Sequence, residues 1–284
     1  VSIFNEKKID THVHVLDPVR FPYHADVAYR PSGAEIGTTD QLVHVLRTYG
    51  VDHALLVQPN SGYGPDNNCM LDAIRRYPSI FKGIAIVDAN VSVAELKRLR
   101  DQGVIGIAIN PTVYGNAFYA DAPKVMAKLA DLGMCVSLQV EHDMLAMYRP
   151  WIEAIPVRVM IDHCGRPTAS MGADQPGFRD LLALAQTDRV SVKLSGYAKF
   201  SQGQYPFEDI WLHVRELVEH FGLRNCMWAS DWPYLRATDR QDYGPLLKLV
   251  ELLFPDPADR HTLLWETPRR LLGFASAGDD GVKG

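Results

Sequence analysis

The 284-residue sequence predicts an α/β fold, a single-domain (β/α)8 TIM barrel over residues 1–275 followed by a flexible tail, 276–284. Three observations lead there. Eight short runs rich in Val and Ile recur along the chain, most of them apolar throughout, as strands covered on both faces require. Helical segments lie between them. The length suits a barrel of about 250 residues. An open doubly wound sheet is the rival, but no Gly-x-Gly-x-x-Gly or Walker-type phosphate loop follows an early strand, and neither a linker nor an internal repeat divides the chain.

The expected strands are Lys8–Val15, His53–Gln58, Phe81–Val87, Ile105–Asn110, Met134–Val140, Val157–His163, Val190–Ser195 and Cys226–Asp231. The expected helices are Thr39–Tyr49, Asn67–Tyr77, Val93–Gln102, Ala122–Leu132, Phe178–Gln186, Phe207–Phe221, Tyr243–Leu253 and Asp259–Leu272. Gly103, Gly133 and Gly222 stand just past three of them as stop signals. The long Asp17–Gly37 segment after the first strand is rich in Pro, Tyr and Arg, a composition suited to a loop covering a site.

Composition narrows the classes. At 47% hydrophobic and 22% charged residues the chain is not a disordered one. A net charge of −5 argues against nucleic-acid or anionic-membrane partners held by bulk charge. A small-molecule substrate and a homo-oligomer are compatible with it. No apolar stretch approaches the roughly 20 residues of a membrane span. Residues 1–8 lack the apolar core of a signal peptide. The four cysteines, Cys69, Cys135, Cys164 and Cys226, form no C-x-x-C pair and read as reduced thiols, so the expected location is cytoplasmic.

In a parallel barrel the chemistry sits at the C-terminal strand ends. The first strand ends Asp10-Thr-His-Val-His14, which puts His12 and His14 on one side of a strand. Such a pair can bind a metal or polarise an oxygen; it can equally be two histidines that satisfy each other or the backbone. The sixth strand ends Asp162-His163-Cys-Gly-Arg-Pro, and the eighth Ser230-Asp231-Trp-Pro, where the acid is either a helix N-cap or a base facing the pocket. Together they would put His12, His14, His163 and Asp231 around one cavity. Gln58, Asn60, Ser61 and Tyr63 after the second strand offer neutral hydrogen bonds. Lys193, sharing a face with Ser195, needs an acid or anion if it points inward, and otherwise snorkels outward. Tyr197 and Lys199 lie beyond it, placed to meet a substrate carboxylate or carbonyl. Arg166 reads either as a pocket group or as a structural salt bridge, and Cys164 lacks the partners of a nucleophile.

These motifs, with the closing Glu266-Thr-Pro-Arg-Arg-Leu-Leu-Gly-Phe274, resemble the amidohydrolase superfamily from about residue 8 to residue 274. The likeness is greatest to the branch that holds 2-pyrone-4,6-dicarboxylate lactonase and the sugar-acid lactonases. The resemblance implies that His12 and His14 match the strand-one pair, His163 the strand-six histidine, and Asp231 the strand-eight general base. Two usual ligands are missing: the fourth strand has no lysine to bridge two metals, and Gln139 stands where many members carry histidine. The resemblance therefore implies at most a mononuclear site on His12, His14, His163 and Asp231, holding one divalent ion such as zinc or manganese. It also allows none, since the pyrone lactonase is understood to act without a metal. Ala108 replaces an arginine with which that lactonase holds carboxylates, which makes a polyanionic pyrone a poor fit.

The expected activity is hydrolysis of a lactone of a small carboxylated molecule. Asp231 would activate water, with His12, His14 and His163 polarising the carbonyl directly or through one metal. Asn60, Tyr63, Gln139, Lys193 and Tyr197 would bind substrate. The alternatives are a metal-dependent non-oxidative decarboxylase, a lactone isomerase, or a binding barrel without chemistry.

Overall fold

The computed structural model describes residues 2–27 and 29–275; the expected tail, 276–284, lies outside them. The strands are β1 Ile9–Val13, β2 His53–Val57, β3 Phe81–Ala85, β4 Val104–Ile109, β5 Cys135–Leu138, β6 Arg158–Ile161, β7 Val190–Leu194 and β8 Cys226–Trp228. They follow one another in chain order around a single parallel sheet. All eight expected strands are present. Most are shorter at the C-terminal end, where the chain turns out of the ladder into the loops that carry polar groups.

The principal helices are α1 Thr39–Thr48, α2 Asn68–Arg76, α3 Val93–Asp101, α4 Ala122–Asp131, α5 Leu145–Ala154, α6 Pro176–Ala183, α7 Trp211–Phe221 and α8 Tyr243–Leu253. Helix α5 falls where the sequence pattern points to none. Pro150 sits inside it, a residue that removes a backbone donor and ordinarily breaks a helix. Burial of Leu145, Tyr148 and Ile152 on one face compensates. The expected helix Asp259–Leu272 is three consecutive pieces, Pro257–His261, a π-helical Thr262–Glu266 and Thr267–Leu272. No helix among the described residues is long and apolar enough to cross a membrane.

The main core lies between the sheet and the helices. A smaller one fills the lower barrel, where Ile9, Leu55, Ile84, Met160 and Met227 meet Trp265, Leu272 and Phe274 from the C-terminal segment. That segment plugs the barrel floor. His53, opening β2, stacks on Phe274 at 4.6 Å, Lys82 Nζ donates to the Leu272 and Gly273 carbonyls, and Arg158 Nη1 donates to that of Leu271. Buried aromatics such as these each remove about 150–250 Å² from water, so the closed floor adds stability and leaves the C-terminal mouth as the way in.

Closure between β8 and β1 positions the chemistry. Asp231 N–H donates to His12 O at 2.9 Å and His14 N–H donates to Trp232 O at 2.8 Å, carrying the seam past the end of β8. The Asp10 carboxylate, buried behind it, accepts from Ser230 N–H at 3.0 Å and from Tyr243 O–H of α8 at 2.8 Å. The β1–β2 register shifts between Asp10 and Val13. Such a bulge re-aims side chains, here so that Ile9 points into the lower core while His12 and His14 reach the cavity above it.

Candidate active site

The mouth opens on a cavity of about 620 Å³ lined by His12, His14, His163 and Asp231. Asp231 is not a helix N-cap. It adopts a left-handed backbone with φ 63°, a conformation Asp tolerates better than most side chains, and turns its carboxylate inward. Its Oδ2 accepts from Lys199 Nζ at 2.8 Å. Its Oδ1 is buried without a hydrogen-bond partner. Around that oxygen stand His14 Nε2 at 3.4 Å, His163 Nε2 at 3.7 Å and His12 Nε2 at 3.8 Å. Burial alone would raise the carboxyl pKa. The Lys199 charge and the imidazoles outweigh it and hold the group well below the usual carboxylate range, so Asp231 is an anion at neutral pH.

The imidazoles are held from behind. His14 Nδ1 lies 2.7 Å from Val57 O, a contact only an N–H can satisfy, so the neutral His14 ring presents a bare Nε2 to the cavity. His163 opens a left-handed turn after β6, with His163, Cys164, Gly165 and Arg166 all at positive φ, and its Nδ1 meets Ser195 Oγ at 2.9 Å. Strain of this kind gathers at functional sites. Burial lowers the pKa of His163, and burial together with the Lys193 charge lowers that of His12 to about 4, so both rings are neutral near pH 7.

Gly196 keeps room for the His163 ring. Its φ is +63°, and an added Cβ would lie 2.6 Å from His163 Nδ1. Gly196→Ala is therefore expected to cost about 1–2 kcal/mol of stability from the backbone alone and to lower kcat by displacing the ring. Denaturant unfolding and initial rates on one preparation check both.

Of the expected substrate-binding residues, Asn60, Gln139 and Tyr197 line the cavity. Asn60 Oδ1 is buried without a partner, while Gln139 Nε2 donates to Thr112 Oγ1 at 2.9 Å. Tyr63 is not among the lining residues; its hydroxyl accepts from Asp17 N–H at 2.9 Å and ties down the loop after β1. Lys193 is absent from the lining as well. It does not snorkel outward either: it is fully buried, 2.9 Å from Asp162 Oδ1, below the His12 ring. No described residue of Asp17–Gly37 lines the cavity. That loop instead bonds to Gly62 through Tyr29 O and His24 N–H, and Glu35 accepts from Arg236 N–H.

Lys199, Arg166 and Arg236 supply positive charge to the cavity wall. Arg166 Nη1 is 3.6 Å from Glu141, and its Nε is buried without a partner. Ser137 and Asp162, beneath His12, carry no expected role; the sequence signals were a hydroxyl inside the apolar run Cys135-Val-Ser-Leu138 and the polar Asp162-His163 step that closes the sixth strand's run. The four cysteines are buried and unpaired, and burial pushes the Cys164 thiol up to about 12, which suits no nucleophile.

His12, His163 and Asp231 bring ligand atoms within 4.8 Å of one another, a grouping of the kind that holds a metal ion. The groups behind the rings decide whether it fits. An imidazole that ligates through Nε2 needs an acceptor behind Nδ1. His14 has Val57 O. Behind His12 Nδ1, however, stands the Lys193 ammonium at 3.3 Å, nearer than Asp162 Oδ1 at 3.5 Å. The separations suit a divalent ion; the surroundings of His12 do not.

A family model described as amidohydrolase matches residues 9–274. A 4-sulfomuconolactone hydrolase of Rhizobium radiobacter is 30% identical, over 93% of this chain and 89% of the relative. A 2-pyrone-4,6-dicarboxylate hydrolase of Comamonas testosteroni is 28% identical, over 93% and 89%. Among solved structures, an Acinetobacter baumannii protein assigned as a 2-pyrone-4,6-dicarboxylic acid hydrolase, with citric acid bound, superposes with a TM-score of 0.85 at 27% identity, covering 94% of this chain and 99% of that one.

Proposed function

The chain belongs to the amidohydrolase family, and we propose that it hydrolyses a lactone of a small carboxylated molecule with Asp231 as general base. One observation carries the reading: a buried carboxylate oxygen without a hydrogen-bond partner, ringed by three imidazole nitrogens at the base of an open cavity. The named relatives act on lactones and cyclic esters of this kind.

The steps follow from the donors and acceptors. A reactant water set against Asp231 Oδ1 has His14 Nε2 as a second acceptor. Asp231 takes one proton as the water oxygen bonds to the lactone carbonyl carbon. Negative charge then develops on the carbonyl oxygen, and His12 and His163 stand on that side to donate to it. Collapse breaks the ring C–O bond, and the proton on Asp231 passes to the departing ring oxygen. The product is an open-chain hydroxy acid. Ala108 lines the wall at β4, so a substrate carboxylate finds no cation there and turns toward Lys199, Arg166 and Arg236.

A panel of carboxylated lactones, followed by acid release, tests the reaction. Carbon dioxide release or a rearranged lactone would replace it with a decarboxylase or an isomerase. Exhaustive chelation is expected to leave kcat unchanged; a loss restored by zinc or manganese would overturn direct polarisation.

A further inference from the structure

Lys193 lies beneath the imidazoles, fully buried, and has no step in the reaction above. Its ammonium has three protons to place. They face Asp162 Oδ1 at 2.9 Å, Ser137 Oγ at 3.0 Å and His12 Nδ1 at 3.3 Å. Ser137 gives its own proton to the Asp162 carboxylate, whose oxygens lie 2.9 and 3.0 Å away, so its oxygen is left to accept from Lys193. The third Lys193 proton then needs the lone pair of His12 Nδ1. With a hydrogen on Nδ1 instead, two donors would confront each other among buried groups, and the ammonium proton would be stranded. Asp162 Oδ1 does approach Nδ1 at 3.5 Å, but it already accepts shorter bonds from Lys193 and Ser137.

We propose that Lys193, held by Asp162 and Ser137, fixes the neutral His12 ring with its hydrogen on Nε2, so that His12 offers the cavity a donor. His14 is fixed the opposite way by Val57 O and offers a lone pair. The two histidines of the His-x-His motif therefore do different work: one hydrogen-bonds the carbonyl oxygen while the other helps seat the water. The catalytic consequence rests on the lactonase reading; the tautomers themselves do not. Lys193 does not line the cavity and is a positioning residue.

Nitrogen-15 NMR of the full chain reads the protonated ring nitrogen directly, with the His12 and His14 signals assigned by their loss in His12→Gln and His14→Gln. The expected result is His12 protonated on Nε2 and His14 on Nδ1. A His12 ring protonated on Nδ1 overturns the proposal. The paired substitution Lys193→Met with Asp162→Leu removes both buried charges and strands neither. In that variant, once folding is verified, His12 is expected to shift toward Nδ1–H and kcat to fall about 10²-fold with KM unchanged. Zinc, added alone, is expected to bind about tenfold tighter or more, because Nε2 is freed. A folded double variant with unaltered His12 tautomer also overturns the proposal. A wild-type protein that opens no lactone yet shows the expected tautomers removes the lactonase reading alone. An active lactonase with His12 on Nδ1–H removes this inference alone.

Discussion

Asp231→Asn is expected to lower kcat about 10²–10⁴-fold while leaving KM near its wild-type value, with a smaller loss of stability because the Lys199 ammonium loses its partner charge. The substitution suits the position. Asparagine has the same shape, tolerates the left-handed backbone at φ 63°, and keeps an oxygen for Lys199 Nζ. It cannot take a proton from water. The seam bond from the residue's own N–H to His12 O is untouched, so the barrel closes as before. A kcat within tenfold of wild type, on a lactone the enzyme is shown to open, would mean that Asp231 is not the base. Equal loss in kcat and thermal stability would mean that its role is structural.

The elements legible in the sequence are those set by local chemistry. Apolar runs located all eight strands, and polar residues at their ends located His12, His14, His163 and Asp231, because in a parallel barrel the strand ends converge on one mouth. What escaped depends on direction. Tyr63 follows β2 at a plausible site, yet its hydroxyl turns back to Asp17. Lys193 is on β7 one step below the mouth, and only the partners Asp162, just past β6, and Ser137, on β5, explain why a buried ammonium is tolerated. Neither partner is near it in sequence. Helix α5 was hidden by Pro150, whose local cost is outweighed by tertiary burial. The bulge in β1 is equally unreadable, since a one-residue register shift leaves no mark on composition.

Lys199→Met is expected to shift the acid limb of the kcat profile to higher pH, because it removes the leading attraction that opposes burial at Asp231. The sign follows from the base form. Asp231 works as an anion, so activity is lost as pH falls through the pKa of its carboxyl, and in the wild type that loss lies well below the usual carboxylate range. Without the ammonium at 2.8 Å, burial is opposed by the neighbouring rings and the more distant Arg166 charge, and the carboxyl holds its proton to higher pH. The depressed pKa also contributes stability that is present above the unfolded value and is lost as pH falls. The variant therefore loses part of this stability at neutral pH and depends less on pH in acid. If Lys199 acts through Asp231 alone, raising the pH restores kcat to the wild-type plateau at an unchanged KM. If it also holds the substrate carboxylate, KM stays high at every pH. An acid limb that does not move would show that Lys199 leaves the ionisation of Asp231 unaffected, and the carboxylate would then owe its charge to Arg166 and to the N–H groups of His163 and His12.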